Sequence, residues 1–226
     1  MNSVIEEKLM NNELNILILS CGTRNKIIQY FKKELQGRGL VIATDCSKLA
    51  PALYDADKYY IVPRMNEKGY LDLILKICKE NNIKAVLSLI DPELSLLAEY
   101  KRDFLDIGAI PIISDYDIVE MCFDKYAMYK FFVQNGLKTV RSYIDKNEFY
   151  KDVKAGVIDY PVFVKPVRGS ASININKVNS KEEIELLFSR FDNLIIQEFM
   201  DGTEYGVDVY IDIISNEPVA IFIKEK

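Results

Sequence analysis

The sequence predicts a mixed α/β chain, with a Rossmann-like layered domain first and an α+β region after it. Three observations predict this. From residue 14 to about residue 114, short apolar runs alternate with amphipathic helical patterns, as in a sheet wound by crossover helices. Beyond Ser114 the texture changes, and several strand patterns and a closing hairpin pattern share the segment with few helices. Finally, 49% hydrophobic and 28% charged residues over 226 positions describe an ordinary globular chain of one or two domains.

Residues 14–19 are almost wholly apolar and read as a strand buried on both faces of a parallel sheet. They run into Ser20, Cys21, Gly22, Thr23 and Arg24, and then into a helical pattern through Ile27, Ile28, Phe31 and Leu35. A dinucleotide fingerprint needs three spaced glycines here and only Gly22 is present, which argues against NAD. Residues 39–45 form a second strand ending in Asp45, an acid placed to hold a ribose or, more simply, to cap the next turn. A third strand at 59–63 precedes a helix through Leu71, Ile74, Leu75 and Cys78. A fourth strand at 84–90 leads into Asp91 and Pro92, which suits the first turn of a helix reaching about Phe104. A short fifth strand spans 110–114.

Residues 115–135 read as one helix, with Asp124 and Lys125 in its middle and Asn135-Gly136 as its stop. Strands follow at 140–144, 161–165, 173–178 and 194–199. Ser180 and Glu183 form a capping box that opens a helix to Arg190. Residues 205–214 and 218–224 pair as a hairpin around Ser215, Asn216 and Glu217.

Composition excludes several chemistries. No histidine occurs, so Ser-His-Asp catalysis and the imidazole general base are absent. Cys21, Cys46, Cys78 and Cys122 form no C-x-x-C pair, and they read as reduced thiols rather than a zinc site. A net charge of −5 opposes a broad nucleic-acid surface while allowing a local basic pocket. The polar, acidic first 13 residues are not a signal peptide, and no apolar run approaches a membrane span. The expectation is a cytoplasmic protein without nucleic-acid or membrane partners.

Chemistry concentrates in the second half. Residues 160–165 are an apolar strand that ends in Lys165, followed by Pro166 and a loop of small residues containing Arg168, Gly169, Ser170 and Ser172. A cation on a rigid strand beside a loop of backbone donors can hold a polyphosphate; a lysine snorkelling from a buried strand is the simpler alternative. Lys125 is a second cation on a helix, equally compatible with a solvated face. Residues 194–204 run from an apolar strand through Glu198 and Met200 to a Gly202 turn and Glu204. Apolar walls and free strand-end backbone suit a base, and a carboxylate such as Glu204 suits ribose hydroxyls. Standing alone, the same segment reads as a hairpin edge with an acidic turn.

In this order and spacing the three features resemble the ATP-grasp family, with likeness to single-module relatives of the carbamoyl-phosphate synthase large subunit. Asp55, Asp57, Val62-Pro63 and residues 90–94 resemble that family's Rossmann-like pre-ATP-grasp domain. The resemblance implies domains at 1–114 and 115–226, the second an incomplete α+β ATP-grasp domain with subdomains at 115–190 and 191–226. It implies ATP as cofactor: Lys125 and Lys165 on the phosphates, the loop of Arg168, Gly169, Ser170 and Ser172 over them, Glu198 and the Met200 backbone at adenine, and Glu204 at ribose. It also implies a ligase that activates a small carboxylate as an acyl phosphate for an amine or other nucleophile. The loop has one glycine where many relatives have several, and the expected Mg2+ ligands (a Glu and a Glu-x-Asn stretch) do not appear before Lys226. The chain therefore reads as truncated, with no assigned catalytic or metal residues. A non-catalytic nucleotide-binding fragment or interaction module is the alternative, and the interrupted final sheet leaves an edge for a homo-oligomer.

Overall fold

The computed structural model describes residues 13–169 and 174–226. Backbone packing separates two compact units, residues 1–119 and residues 120–226.

The first unit is a five-stranded sheet in the order β3-β2-β1-β4-β5, built from β1 (Asn15–Ile18), β2 (Val41–Asp45), β3 (Lys58–Ile61), β4 (Ile83–Leu87) and β5 (Ile110–Pro111). Every pairing is parallel. Alternation explains why β1 is apolar at nearly every position. Leu17 and Leu19 join Ile42, Tyr70 and Ile74 in a core on one face, while Ile16 and Ile18 join Val41, Ala43 and Ile28 on the other. Each such buried aliphatic side chain contributes about 1.5–3 kcal/mol. The crossover helices are α1 (Asn25–Leu35), α2 (Tyr70–Glu80), α3 (Asp91–Glu99) and α4 (Lys101–Asp106). Gly39 precedes β2 because a Cβ there would lie 2.3 Å from the Leu14 carbonyl oxygen.

At the carboxyl ends of these strands lies a wholly buried carboxylate, Glu93. It accepts hydrogen bonds from Ser20 Oγ at 2.9 Å, Ser88 Oγ at 2.6 Å and the Tyr70 hydroxyl. Burial, then the Glu93 charge, pushes the Tyr70 phenol well above its ordinary value, so it stays a donor. Tyr70→Phe removes one donor to a buried charge and is expected to cost about 1–2 kcal/mol in urea denaturation. Asp45 ties the neighbouring loops by accepting from Gly22 N and Ser47 N, at 2.9 and 2.8 Å.

Several expected elements are shortened or divided. The helix expected from Pro92 to Phe104 breaks at Tyr100, whose φ of −100° and ψ of 20° leave the helical region. The fifth strand has only two residues: Ile112 N still donates to the Val86 carbonyl at 2.9 Å, but Ile113 N donates back to the Pro111 carbonyl at 3.0 Å and turns the chain away. Beta4 stops at Leu87, where Ser88 turns toward Glu93. The helix expected over 115–135 divides into α5 (Tyr116–Phe123) and α6 (Lys125–Gln134), since Asp124 is extended and caps α6 through Tyr126 N and Ala127 N. A helix absent from the sequence expectation, α7 (Lys146–Lys154), starts at an Asp145 cap and buries only Phe149.

The second unit holds a four-stranded antiparallel sheet in the order β6-β9-β7-β8, from β6 (Ser142–Tyr143), β7 (Val162–Pro166), β8 (Asn176–Val178) and β9 (Leu194–Glu198). One face carries Tyr143, Val162, Val164, Val178 and Ile196 against Phe149 of α7 and Ile184 of α8 (Lys181–Arg190). Ser180 Oγ accepts from Glu183 N at 3.4 Å, and Glu183 returns a carboxylate to Asn179 N at 2.7 Å. A separate antiparallel hairpin, β10 (Tyr205–Ile211) and β11 (Pro218–Glu225), closes the chain.

Candidate functional site

Strand alternation decides where Lys165 points. Val162 and Val164 enter the core, so Phe163 and Lys165 lie on the opposite sheet face. Register puts Lys165 beside Ile195 and Phe163 beside Gln197, so the same face continues across β9. Phe163 meets Phe199 with ring centroids 5.4 Å apart and planes tilted by 51°, and the Lys177 ammonium sits 3.9 Å over the Phe199 ring. This face carries an aromatic pair flanked by Gln197 and Lys177, with Lys165 nearer its end.

The Asp124 cap brings the second lysine there. Asp124 bridges to Arg168 as an isolated β-pair, and Lys125 N donates to the Val167 carbonyl at 3.1 Å. Lys125 therefore opens α6 beside the strand end rather than sitting in mid-helix. Its ammonium donates to the carbonyls of Val167 at 3.3 Å and Gly169 at 2.8 Å. Gly169 has a φ of 137°, in the region that favours glycine.

Two cations share this corner. Lys165 is about half-buried, and burial, followed by the like charge of Lys125, holds its ammonium below the ordinary lysine value. No ion pair to Lys165 forms among the described residues. An approaching polyanion would offset the repulsion between these two cations and supply the counter-charge that the half-buried Lys165 lacks among the described residues.

The other expected site residues stand as follows. Arg168 donates to Glu120 at 2.8 Å, lies 3.6 Å from Asp124 and sits 5.6 Å from the Phe123 ring centre. The Glu120 hydrogen bond first, and then the charges of Glu120 and Asp124, hold its pKa above the ordinary arginine value. Ser170 and Ser172 lie outside the described residues. The Glu198 carboxylate accepts from Arg141 N at 3.0 Å, and register pairs Glu198 with Val162 on the face away from Lys165. Met200 is exposed, and Glu204 pairs with Lys226 at 2.5 Å at the open end of the hairpin. The structure thus gathers Lys125, Lys165, Arg168 and Gly169, while the Glu198 and Glu204 carboxylates engage other partners. Sequence reasoning missed Glu120, whose four-residue spacing from Asp124 was the available signal, and the Phe163–Phe199 pair.

A larger feature lies nearby. A cleft of about 980 Å3 in the second unit is lined by Tyr126, Lys130, Ile144, Phe188, Phe191 and Arg168, among others. It does not include Lys165, Glu198 or Glu204. Volume favours the cleft, and charge favours the lysine corner; for a polyphosphate, charge decides.

Comparison with known proteins adds two matches along the chain. Residues 16–113 match the PylC-like N-terminal domain and residues 122–223 match the ATP-grasp domain. The carbamoyl-phosphate synthase of Methanobrevibacter smithii is 27% identical over 186 residues, which is 80% of this chain and 48% of that protein. The D-alanine–D-alanine ligase of Bacillus cytotoxicus is 37% identical over 121 residues, 48% of this chain and 33% of the enzyme. Among solved structures, N5-carboxyaminoimidazole synthetase from Staphylococcus aureus complexed with ADP superposes with a TM-score of 0.70 at 16% identity, covering 96% of this chain and 57% of that one. The L-amino acid ligase of Bacillus licheniformis gives 0.68 at 18% identity, covering 95% of this chain and 51% of that one. This chain spans about half the length of the first of these curated relatives.

Proposed function

Because this chain carries a PylC-like N-terminal domain followed by an ATP-grasp domain, we propose that Lys125, Lys165 and the loop starting at Arg168 bind the phosphates of ATP. The observation that carries this is the half-buried Lys165, held below its ordinary pKa by burial and by Lys125. The domain assignment that accompanies it is a pre-ATP-grasp domain at 1–114 and part of an ATP-grasp domain at 115–226. Adenine is taken by the strand-end backbone at Glu198 and Met200, because the Glu198 carboxylate faces away from Lys165 and accepts from Arg141 N, and Glu204 exchanges Lys226 for ribose hydroxyls. Arg168 exchanges Glu120 for phosphate oxygen.

The reaction proposed for the whole protein is carboxylate–amine ligation. A carboxylate oxygen attacks the γ-phosphorus, the bond to ADP breaks, and an acyl phosphate forms. An amine then attacks the acyl carbon and inorganic phosphate leaves. Such transfer asks mainly for positioning and charge neutralisation, which lysines supply without histidine. Among the described residues no group of three or more Asp, Glu or Cys is placed to hold a metal ion. Mg2+ is therefore proposed only for a form with further carboxylates, and no step here runs through it. The same observation favours a second reading, a nucleotide-binding module without turnover.

Thermal-shift measurements with ATP, ADP and AMP test the binding, and hydroxylamine trapping with a panel of small carboxylates tests the chemistry. Stabilisation with trapped hydroxamate supports the ligase, and stabilisation alone supports the module. No stabilisation by any adenine nucleotide overturns both.

A pH dependence follows. Phosphate raises the Lys165 pKa toward or above 10.5, from a free value below it. Affinity from this lysine is complete below the free value and is lost as pH rises through it. The expected fall is up to about tenfold per pH unit in that window. Fluorescent-ADP titrations between neutral pH and the ordinary lysine range check it.

A further inference from the structure

We propose that Glu120 is an autoinhibitory latch on the phosphate corner: its carboxylate holds the Arg168 guanidinium, and a polyphosphate must displace it to recruit that arginine. The proposal rests on the nucleotide reading of Lys125 and Lys165. Glu120 lies in the last turn of α5, where the helix dipole disfavours an acid and a cation is the natural partner. Arg168 supplies that cation. The bridge between Asp124 and Arg168 sets the Arg168 backbone beside the end of α5. Asp124 N in turn donates to the Glu120 carbonyl at 3.1 Å, which keeps both acids on one turn of chain. The guanidinium therefore meets the Glu120 carboxylate at 2.8 Å, the Asp124 carboxylate at 3.6 Å and the Phe123 ring centre at 5.6 Å.

The cations of this corner are committed differently. Lys165 has no ion pair among the described residues. The Lys125 ammonium donates to the carbonyls of Val167 and Gly169, on either side of Arg168. Arg168 is turned onto acids. A guanidinium grips carboxylate and phosphate with the same N–H edges, so the two compete for it. Phosphate brings more charge than one carboxylate. The Arg168 and Glu120 side chains are 50% and 21% exposed, so their pair is weak enough to open. Removing the Glu120 charge also leaves the corner more attractive to an anion. Competition and field therefore act in the same direction.

Carboxyl footprinting reads the exchange in the unmodified chain. The protein is labelled briefly with benzhydrazide and a triazine coupling reagent, with and without saturating ATP, and Glu120 is quantified by mass spectrometry. Its labelling is expected to rise about 2- to 5-fold with ATP, the ratio an exposed ion pair supports. Glu120→Gln keeps the shape and removes the charge. It is expected to tighten ADP and ATP by about the same 2- to 5-fold and to leave adenosine unchanged, in competition with fluorescent ADP. Circular dichroism establishes that the variant is folded. Glu120 labelling that stays equal or falls with ATP overturns the latch, because the arginine then keeps Glu120 as a fixed support. Equal or weaker ADP binding by folded Glu120→Gln, or an equal gain for adenosine, also overturns it. In those outcomes the unmodified chain still binds nucleotide and the nucleotide reading stands. An unmodified chain that binds no adenine nucleotide overturns both.

Discussion

Lys165→Ala is expected to weaken ADP and ATP binding about 30- to 100-fold, the effect of losing one charge-assisted contact worth ~2–3 kcal/mol. Stability should not fall with it. The ammonium is half-buried, its pKa is lowered by burial and by Lys125, and it has no carboxylate partner among the described residues. Removing such a charge relieves repulsion rather than breaking a contact. Calorimetric titration reads the affinity and urea denaturation reads the fold. Lys130→Ala, in the neighbouring cleft, is the control and should bind nucleotide as the unmodified chain does. Equal affinity in Lys165→Ala would remove the phosphate role from this lysine.

Phe149→Ala should produce the largest loss of stability in the second unit, about 3–5 kcal/mol. The ring is wholly buried and meets Tyr143, Tyr150 and Tyr160 with centroids 5.5, 5.6 and 5.7 Å away. It is the one fully buried residue of α7, and the Tyr150 and Val153 side chains beside it on that helix are only partly buried. A shift in the urea midpoint of the transition that includes residues 120–226, at unchanged slope, measures the loss. A cost under about 1 kcal/mol would mean that the sheet holds without α7.

Much of the fold was legible because burial on both faces leaves a plain trace. Beta1 and β2 are buried at every position and mostly apolar, and they are interior strands of the parallel sheet. Lys165 stood out for the same reason, as the one charge in an apolar strand. What escaped notice depends on contacts remote in sequence. Asp124 reads equally well as a helical residue or a cap, and its bridge to Arg168, 44 positions away, goes with the cap. That cap moves Lys125 from mid-helix to a helix start beside Gly169. Helix α7 was missed because only Phe149 marks its buried side, too little for a helical period to show. The Glu198 carboxylate lies opposite Lys165 by strand register, which becomes visible only once β7 and β9 are paired.

Lysine footprinting tests the central claim most directly. The chain is acylated briefly with and without saturating ATP, and each lysine is quantified by mass spectrometry. Protection at Lys165 and Lys125, with Lys58 and Lys130 labelled equally in both samples, is the predicted result. Equal labelling of Lys165 with and without ATP would contradict the assignment of this corner as the phosphate site.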